Sequence, residues 1–205
     1  MLLCDIGNTS YHFYNGSSEY KESVTTFEPD SIKERVYYIS VNIDISSKLI
    51  HLNNWIDLSI YIDKESYYKT IGIDRVFACE AVNNALIIDA GSAITVDIVK
   101  KSIYQGGFIY PGVTAMQNTY STISKALDYS FNFELDLDKM PKNSIDAISY
   151  GYLKLFYNEV ISHNMEIIIT GGDALKIAKL FPKAKIDNLL IFRGMNKIIQ
   201  KANLC

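Results

Sequence analysis

Cysteine is scarce in this chain. Cys4, Cys79 and Cys205 are odd in number, widely spaced and in neither metal-ligand nor redox spacing, which excludes a disulfide framework and reads as reduced thiols in a cytosol. Positive charge is also in short supply. A net charge of −3 and a pI near 5.6 leave no broad basic surface, so no nucleic-acid partner is expected, while a small anionic ligand held by a few local groups remains open. Long apolar runs are missing: Ala85 to Ile88 and Ile167 to Ile169 are strand-sized and far below a bilayer span, so no membrane partner is expected. Met1 enters a strand directly, without the charged n-region of a signal peptide, and a cytoplasmic protein is expected. His12, His51 and His163 lie too far apart for zinc-ligand spacing. No Ser- or Gly-rich linker interrupts the chain.

What is present suits an α/β protein with a real core: 205 residues, 48% hydrophobic and 21% charged, enough for one domain or two small lobes. Leu2 to Cys4 is an apolar run ending at Asp5, followed by Gly7 and the β-forming stretch Tyr11 to Tyr14. The arrangement returns at Leu86 to Ile88, then Asp89, Gly91 and Ala93 to Val99. Two copies of a strand, polar turn and strand predict a duplicated α/β fold, with lobes over residues 1–85 and 86–205 meeting at a packing hinge. Between and after the copies, patterning predicts a strand at Tyr37–Ile43, an irregular segment Ser46–Tyr68 and a helix from Asp74 to about Asn84. A strand at Ile103–Tyr110 leads through Pro111-Gly112 into a helix ending near Leu127. Asn143, with Asp146 three residues on, predicts the cap of the longest helix, Ser144 to about His163. Met165–Thr170 reads as a strand, Gly171-Gly172 as a turn, and Asp173–Phe181 as a helix stopped by Pro182. Leu189–Phe192 reads as a last strand, and a helix starts at Met195.

The chemistry-bearing residues gather at the turns. Asp5-Ile6-Gly7-Asn8-Thr9 can face a phosphate with backbone amides and the Thr9 hydroxyl, with Asp5 holding Mg²⁺ through water; an ordinary hairpin turn uses the same residue types. The second copy, Asp89-Ala90-Gly91-Ser92-Ala93-Ile94-Thr95, favours the phosphate reading, because a split nucleotide cleft needs two such hairpins. In Gly72-Ile73-Asp74-Arg75, Asp74 is either a general base for a hydroxyl or a helix cap, and Arg75 either a carboxylate ligand or solvated. Gly106-Gly107-Phe108-Ile109-Tyr110-Pro111-Gly112 precedes a helix N-terminus that favours anions, and Thr170-Gly171-Gly172-Asp173 could lay bare backbone against an adenosine. Both also fit plain junctions.

In this order the five segments, spanning Asp5 to Asp173, resemble the motif set of type III pantothenate kinases. The resemblance implies a duplicated actin-like, ribonuclease H-like fold, that of the acetate and sugar kinase, heat-shock chaperone and actin superfamily. It further implies a homodimer and ATP-dependent phosphorylation of pantothenate, the first step of coenzyme A synthesis. By position, Asp5, Ile6, Gly7, Asn8, Thr9, Ser10, Tyr11 and His12 would embrace the ATP phosphates, joined by the Ser92 hydroxyl. Gly72, Ile73, Asp74 and Arg75 would bind pantothenate, with Asp74 as catalytic base. Asp89 would help bind a potassium or ammonium ion, and Ser144 stands where a family threonine reaches pantothenate in the neighbouring subunit. A tyrosine upstream of the Gly-Ile-Asp-Arg segment also contacts substrate in the family; Tyr67 is preferred here over Tyr68, although the shortened stretch from Ile43 to Tyr68 keeps that choice open. Ser92 and Ser144 replace expected threonines and keep the hydroxyl. A non-catalytic regulatory relative and an actin-like or chaperone-type ATPase domain are the rival readings; the intact Asp5, Asp74 and Asp89 oppose the first, and the Gly-Ile-Asp-Arg segment the second.

Overall fold

A computed structural model of the chain describes residues 1–204, so Cys205 lies outside the described residues. The chain opens with β1 (Leu2–Ile6), β2 (Ser10–Tyr14), β3 (Glu19–Ser23), β4 (Val36–Ser40), α1 (Ile43–Leu49), β5 (Trp55–Asp57) and α2 (Ile73–Glu80). A second series follows: β6 (Ala85–Ala90), β7 (Ala93–Lys100), β8 (Ile103–Pro111), α3 (Val113–Ile123), α4 (Ser144–Ser162), β9 (Ile167–Thr170), α5 (Ala174–Ile177) and β10 (Lys185–Ile186). Last comes α6 (Leu190–Lys201).

The two sheets have one topology. Their strand orders are β3-β2-β1-β4-β5 and β10-β9-β6-β7-β8. In each, an antiparallel three-strand meander is extended from its first strand by two parallel strands. The duplication expected from the repeated Asp-x-Gly turn is therefore present at the level of whole sheets. By packing, the chain divides into Met1–Val82 together with the segment from Leu189, and Asn83–Asn188. This differs from the expected 1–85 and 86–205 division in two respects: the boundary falls after Val82, and α6 returns to the first unit.

In the first unit, β1 and β4 are covered on both faces, which is why they read as continuous apolar runs. Leu2, Cys4 and Ile6 pack with Tyr11, Phe13, Val36, Tyr38 and Trp55, whereas Leu3, Tyr37 and Ile39 pack with Val76 and Phe77 of α2 and Phe192, Met195, Ile198 and Ile199 of α6. In the second unit, Leu86, Ile88, Ala90, Ile94 and Val96 pack against Ile148, Tyr152, Leu153, Phe156 and Val160 of α4. Asn143 caps α4 as expected, its side chain accepting from the Asp146 amide at 2.9 Å.

Three expectations need correction: the segment Ser46–Tyr68 is not irregular throughout, since it holds the end of α1 and the strand β5, which pairs with β4. The strand expected to run to Ile43 stops at Ser40, because Asn42 caps a new helix through the Ile45 amide. Leu189–Phe192 is no strand. Its apolar residues continue the helical spacing of Leu190, Met195, Ile198 and Ile199, so the segment is the buried first turn of α6.

α6 meets α2 with backbone contact: a Cβ at Gly194 would collide with the Phe77 carbonyl carbon and its oxygen. Lys197 Nζ also donates to the Glu80 carbonyl at 2.7 Å, and beyond α6 the Leu204 carbonyl accepts the Tyr37 hydroxyl of β4 at 2.6 Å. Gly194→Ala is expected to destabilise by about 1–3 kcal/mol through overpacking, outweighing the gain in helix propensity of up to about 1 kcal/mol. Urea unfolding measures this, and an unchanged or raised stability would mean that the two helices separate without cost.

Candidate active site

The first hairpin is closed by the Gly7 amide donating to the Ser10 carbonyl at 3.0 Å, and the Val41 amide takes the Ile6 carbonyl at 3.0 Å. Asp5, at the end of β1, lies opposite His12 and beside Ile39. Period-two alternation then sorts the expected phosphate stretch. The Ile6 and Tyr11 side chains are buried in the core, so only their backbone can meet a ligand. Asp5, Ser10 and His12 are half-buried, while Asn8 and Thr9 are exposed at the tip. Burial, with Cys4 and Glu28 nearby, pushes the Tyr11 phenol up to about 12. The His12 ring N–H donates to the Glu19 carboxylate across 2.8 Å, and the ring stands edge-on to Phe192. Burial holds its pKa below the ordinary value, with Glu19 opposing.

The second hairpin repeats this geometry with a tip one residue shorter. The Gly91 amide donates to the Ala93 carbonyl at 3.0 Å, and Asp89 lies opposite Thr95 and beside Thr170. Ser92 is exposed at the tip. Two of the glycine motifs turn inward onto this hairpin. A Cβ at Gly112, before α3, would collide with the Ser92 carbonyl, and one at Gly171 would strike the Asp89 carboxylate and the Ala90 backbone. Gly171 also has φ +91°, and the Asp173 amide donates to the Ala90 carbonyl at 2.9 Å. Gly171 thus seats the hairpin and offers no open backbone to an adenosine. Gly172 does, since a Cβ there would meet nothing within 4 Å.

Gly106 and Gly107 belong to neither a turn nor a helix start: they lie within β8, Gly106 with φ +118° beside a register shift at Ile98/Val99. The rest of that motif fixes α4. The Tyr110 hydroxyl donates to the Tyr152 carbonyl and the Tyr152 hydroxyl to the Pro111 carbonyl, each at 2.5 Å, with the rings stacked.

The Gly-Ile-Asp-Arg segment opens α2. Gly72 is the N-cap residue, and the Asp74 carboxylate accepts the Arg75 amide at 2.8 Å, so Asp74 does satisfy the helix start. A Cβ at Gly72 would collide with that carboxylate. Arg75 is not solvated: only 4% of it is exposed. One of its guanidinium nitrogens donates to the Tyr68 hydroxyl at 2.5 Å, and the guanidinium carbon stands 5.7 Å from the Tyr68 ring centre. Tyr67 points elsewhere, its hydroxyl donating to Glu80 Oε1 at 3.2 Å. Tyr68 is thus tied to Arg75, and Tyr67 to the far end of the same helix. Ser144 is exposed in the first turn of α4, where Asp146 receives the Asn132 and Asn143 side-chain amides at 2.9 and 2.7 Å. Sequence reasoning passed over Glu80 and the nearly fully buried Asp97 of β7, opposite Ile87 and Gly107. A Tyr-Tyr pair close before the Gly-Ile-Asp-Arg segment was the signal for Glu80; Asp97 left none, being one acid in an apolar run.

The family model described as type III pantothenate kinase matches residues 29–163. A Sulfurimonas denitrificans protein described as a type III pantothenate kinase is 60% identical over 205 residues, covering 100% of both chains. The chain belongs to the type III pantothenate kinase family. A crystal structure from Campylobacter jejuni, described as a conserved Baf family transcriptional activator, superposes with TM-score 0.89 at 37% identity, covering 100% of both chains. A Sinorhizobium meliloti protein described as a 2-dehydro-3-deoxygalactonokinase superposes with TM-score 0.56 at 8% identity over 98% of both chains, a likeness of fold alone. The family's α/β kinase fold, duplicated as expected, is the fold of this chain. Among the described residues no helix is long and apolar enough to cross a membrane.

His12 links this hairpin to pH. Because its folded pKa lies below the ordinary value of about 6.5, the unfolded chain binds more protons in that window. Stability is then retained above about pH 6.5 and falls as pH drops through the lowered folded value. Thermal melts between pH 8 and pH 5 should show a shallower acid slope in His12→Gln. An identical slope in the variant would place the titration elsewhere.

Proposed function

We infer that the chain transfers a phosphoryl group from ATP to pantothenate, giving 4′-phosphopantothenate in coenzyme A synthesis. The observation that carries this reading is the pair of matched Asp-x-Gly hairpins together with a buried Gly-Ile-Asp-Arg arginine, in a chain of that family. In phosphoryl transfer the protein mainly positions donor and acceptor and stabilises spreading negative charge. The backbone from Asp5 to His12 and the Ser92 hydroxyl hold the phosphates in this reading, with Ile6 and Tyr11 contributing main chain only. Asp5, half-buried at its strand end, fits a hydrated Mg²⁺, which neutralises phosphate charge when bound. Asp74 orients and finally deprotonates the pantothenate hydroxyl, its carboxylate pre-aimed by the Arg75 amide. Arg75 recognises the pantothenate carboxylate, with Gly72 and Ile73 shaping the approach and Tyr68, or Tyr67, at the rim.

Asp89 is the residue for a monovalent cation, potassium or ammonium, since its carboxylate is held against the bare Cα of Gly171. A homodimer supplying Ser144 to the partner's pantothenate site, working in the cytoplasm, completes the proposal. A regulatory reading has one observation in its favour, the activator description of the Campylobacter jejuni structure. The intact Asp5, Asp74 and Asp89 weigh against it.

A coupled assay with ATP, Mg²⁺, potassium and pantothenate tests the set, at a concentration where sedimentation reads the oligomer. Turnover is expected from a dimer and should fall when sodium replaces potassium at constant ionic strength. Equal rates in both salts would remove the cation from Asp89, and an active monomer would remove Ser144. A folded, inactive protein would leave the regulatory reading.

Within the same assay, Asp74→Asn should cost about a hundredfold or more in turnover with pantothenate binding kept. Arg75→Lys should mainly raise the KM for pantothenate, and this conservative change is preferable to Arg75→Ala because the side chain is buried. Near-normal turnover in Asp74→Asn would return that residue to a helix-start role.

A further inference from the structure

α2 starts with the residues assigned above to pantothenate and ends at Glu80. Two consecutive tyrosines reach its two ends. The Tyr67 hydroxyl donates to Glu80 Oε1 at 3.2 Å, and the Tyr68 hydroxyl accepts from Arg75 at 2.5 Å. Tyr67 has extended backbone, which sends neighbouring side chains in opposite directions. The short turn that follows, with the Ile71 amide on the Tyr68 carbonyl at 3.1 Å, leads straight into the Gly72 cap. The segment carrying the substrate-side tyrosines is thus pinned to both ends of the helix it introduces.

Glu80 is itself anchored from α6. Its second oxygen, Oε2, accepts from Lys201 at 3.1 Å, and its backbone carbonyl accepts from Lys197 at 2.7 Å. An isolated exposed ion pair contributes little to stability, but here the carboxylate is largely covered, its side chain 21% exposed, and each of its oxygens has a different element to hold. A purely stabilising tie between α2 and α6 would need only the lysines. The Tyr67 bond adds a third element, the segment next to Arg75.

We propose that Glu80 is a positioning residue of the substrate site, coupling α6 through Tyr67 to the placement of Tyr68 and the Arg75 guanidinium. The proposal rests on the pantothenate reading of the Gly-Ile-Asp-Arg segment. Without Glu80 the Tyr67 hydroxyl loses this partner, the Tyr67–Tyr68 segment is held less firmly, and the Tyr68 hydroxyl on the guanidinium is less well placed. The effect falls on acceptor binding and spares the ATP side.

Steady-state kinetics on Glu80→Ala, Lys201→Met and Tyr67→Phe, with thermal melts, test the coupling. In Glu80→Ala the KM for pantothenate should rise about fivefold, the scale of one lost hydrogen bond, with kcat within about twofold and the KM for ATP unchanged. Glu80→Gln, which keeps an oxygen for Tyr67, should recover most of the loss. Lys201→Met, a surface change, should give a smaller rise in the same constant. The double variant Tyr67→Phe/Glu80→Ala should be no worse than the poorer single one. The proposal is overturned by a lowered melting temperature with an unchanged pantothenate KM, or by additive effects in the double variant. Arg75→Lys separates the two levels: if it too leaves the pantothenate KM unchanged, the site reading fails and the proposal with it, whereas a raised KM in Arg75→Lys alone overturns only the coupling.

Discussion

The approach of α6 to α2 at Gly194 is the constraint on which the first unit depends. At that point helix meets helix with no side chain between them, so the Phe77 carbonyl fixes how deep α6 can sit. Met195, Ile198 and Ile199 then reach the face of β1 and β4 carrying Leu3, Tyr37 and Ile39. α2 is held between that helix and that sheet. Its first turn, with Asp74 and Arg75, inherits its direction from contacts made one to two turns later, at Phe77 and Glu80.

The second unit solves a similar problem by a different glycine device. Gly112 and Gly171 bring two helix entries onto the backbone of the Asp89 hairpin, so the hairpin is braced by main chain, which has no rotamers to lose. Its counterpart in the first unit has a longer tip and takes its support from strands, through the Val41 amide on Ile6 and the Val24 amide on Thr9. The same Asp-x-Gly pattern therefore serves in two mechanical settings.

Much of this was legible in the sequence. The repeated Asp-x-Gly turn announced the duplicated sheets because a hairpin with a carboxylate at its strand end is a local feature, written in adjacent residues. The Asn143 cap and the α3 start were legible for the same reason. What escaped was long-range. Leu189–Phe192, the cap and first residues of α6, are four apolar residues that satisfy strand and helix patterns alike, and only their burial against residues over a hundred positions earlier decides the matter. Tyr68 and Glu80 became visible only when a helix was seen to present both its ends to one dipeptide. The glycines of the 106–112 and 170–173 segments were recognised as special, but whether bare backbone faces a ligand or another part of the chain is a property of packing.

The return of α6 has a consequence for the order in which the protein is made. Residues 83–188 form a contiguous unit, whereas the first unit emerges early and waits for a helix synthesised after that unit. Until then the apolar face of β1 and β4 lacks half its cover, and the helix bearing Asp74 lacks its stop. Nascent chains stalled before Leu190 should therefore carry a folded later half and an unfinished earlier one, an inversion of the usual vectorial sequence.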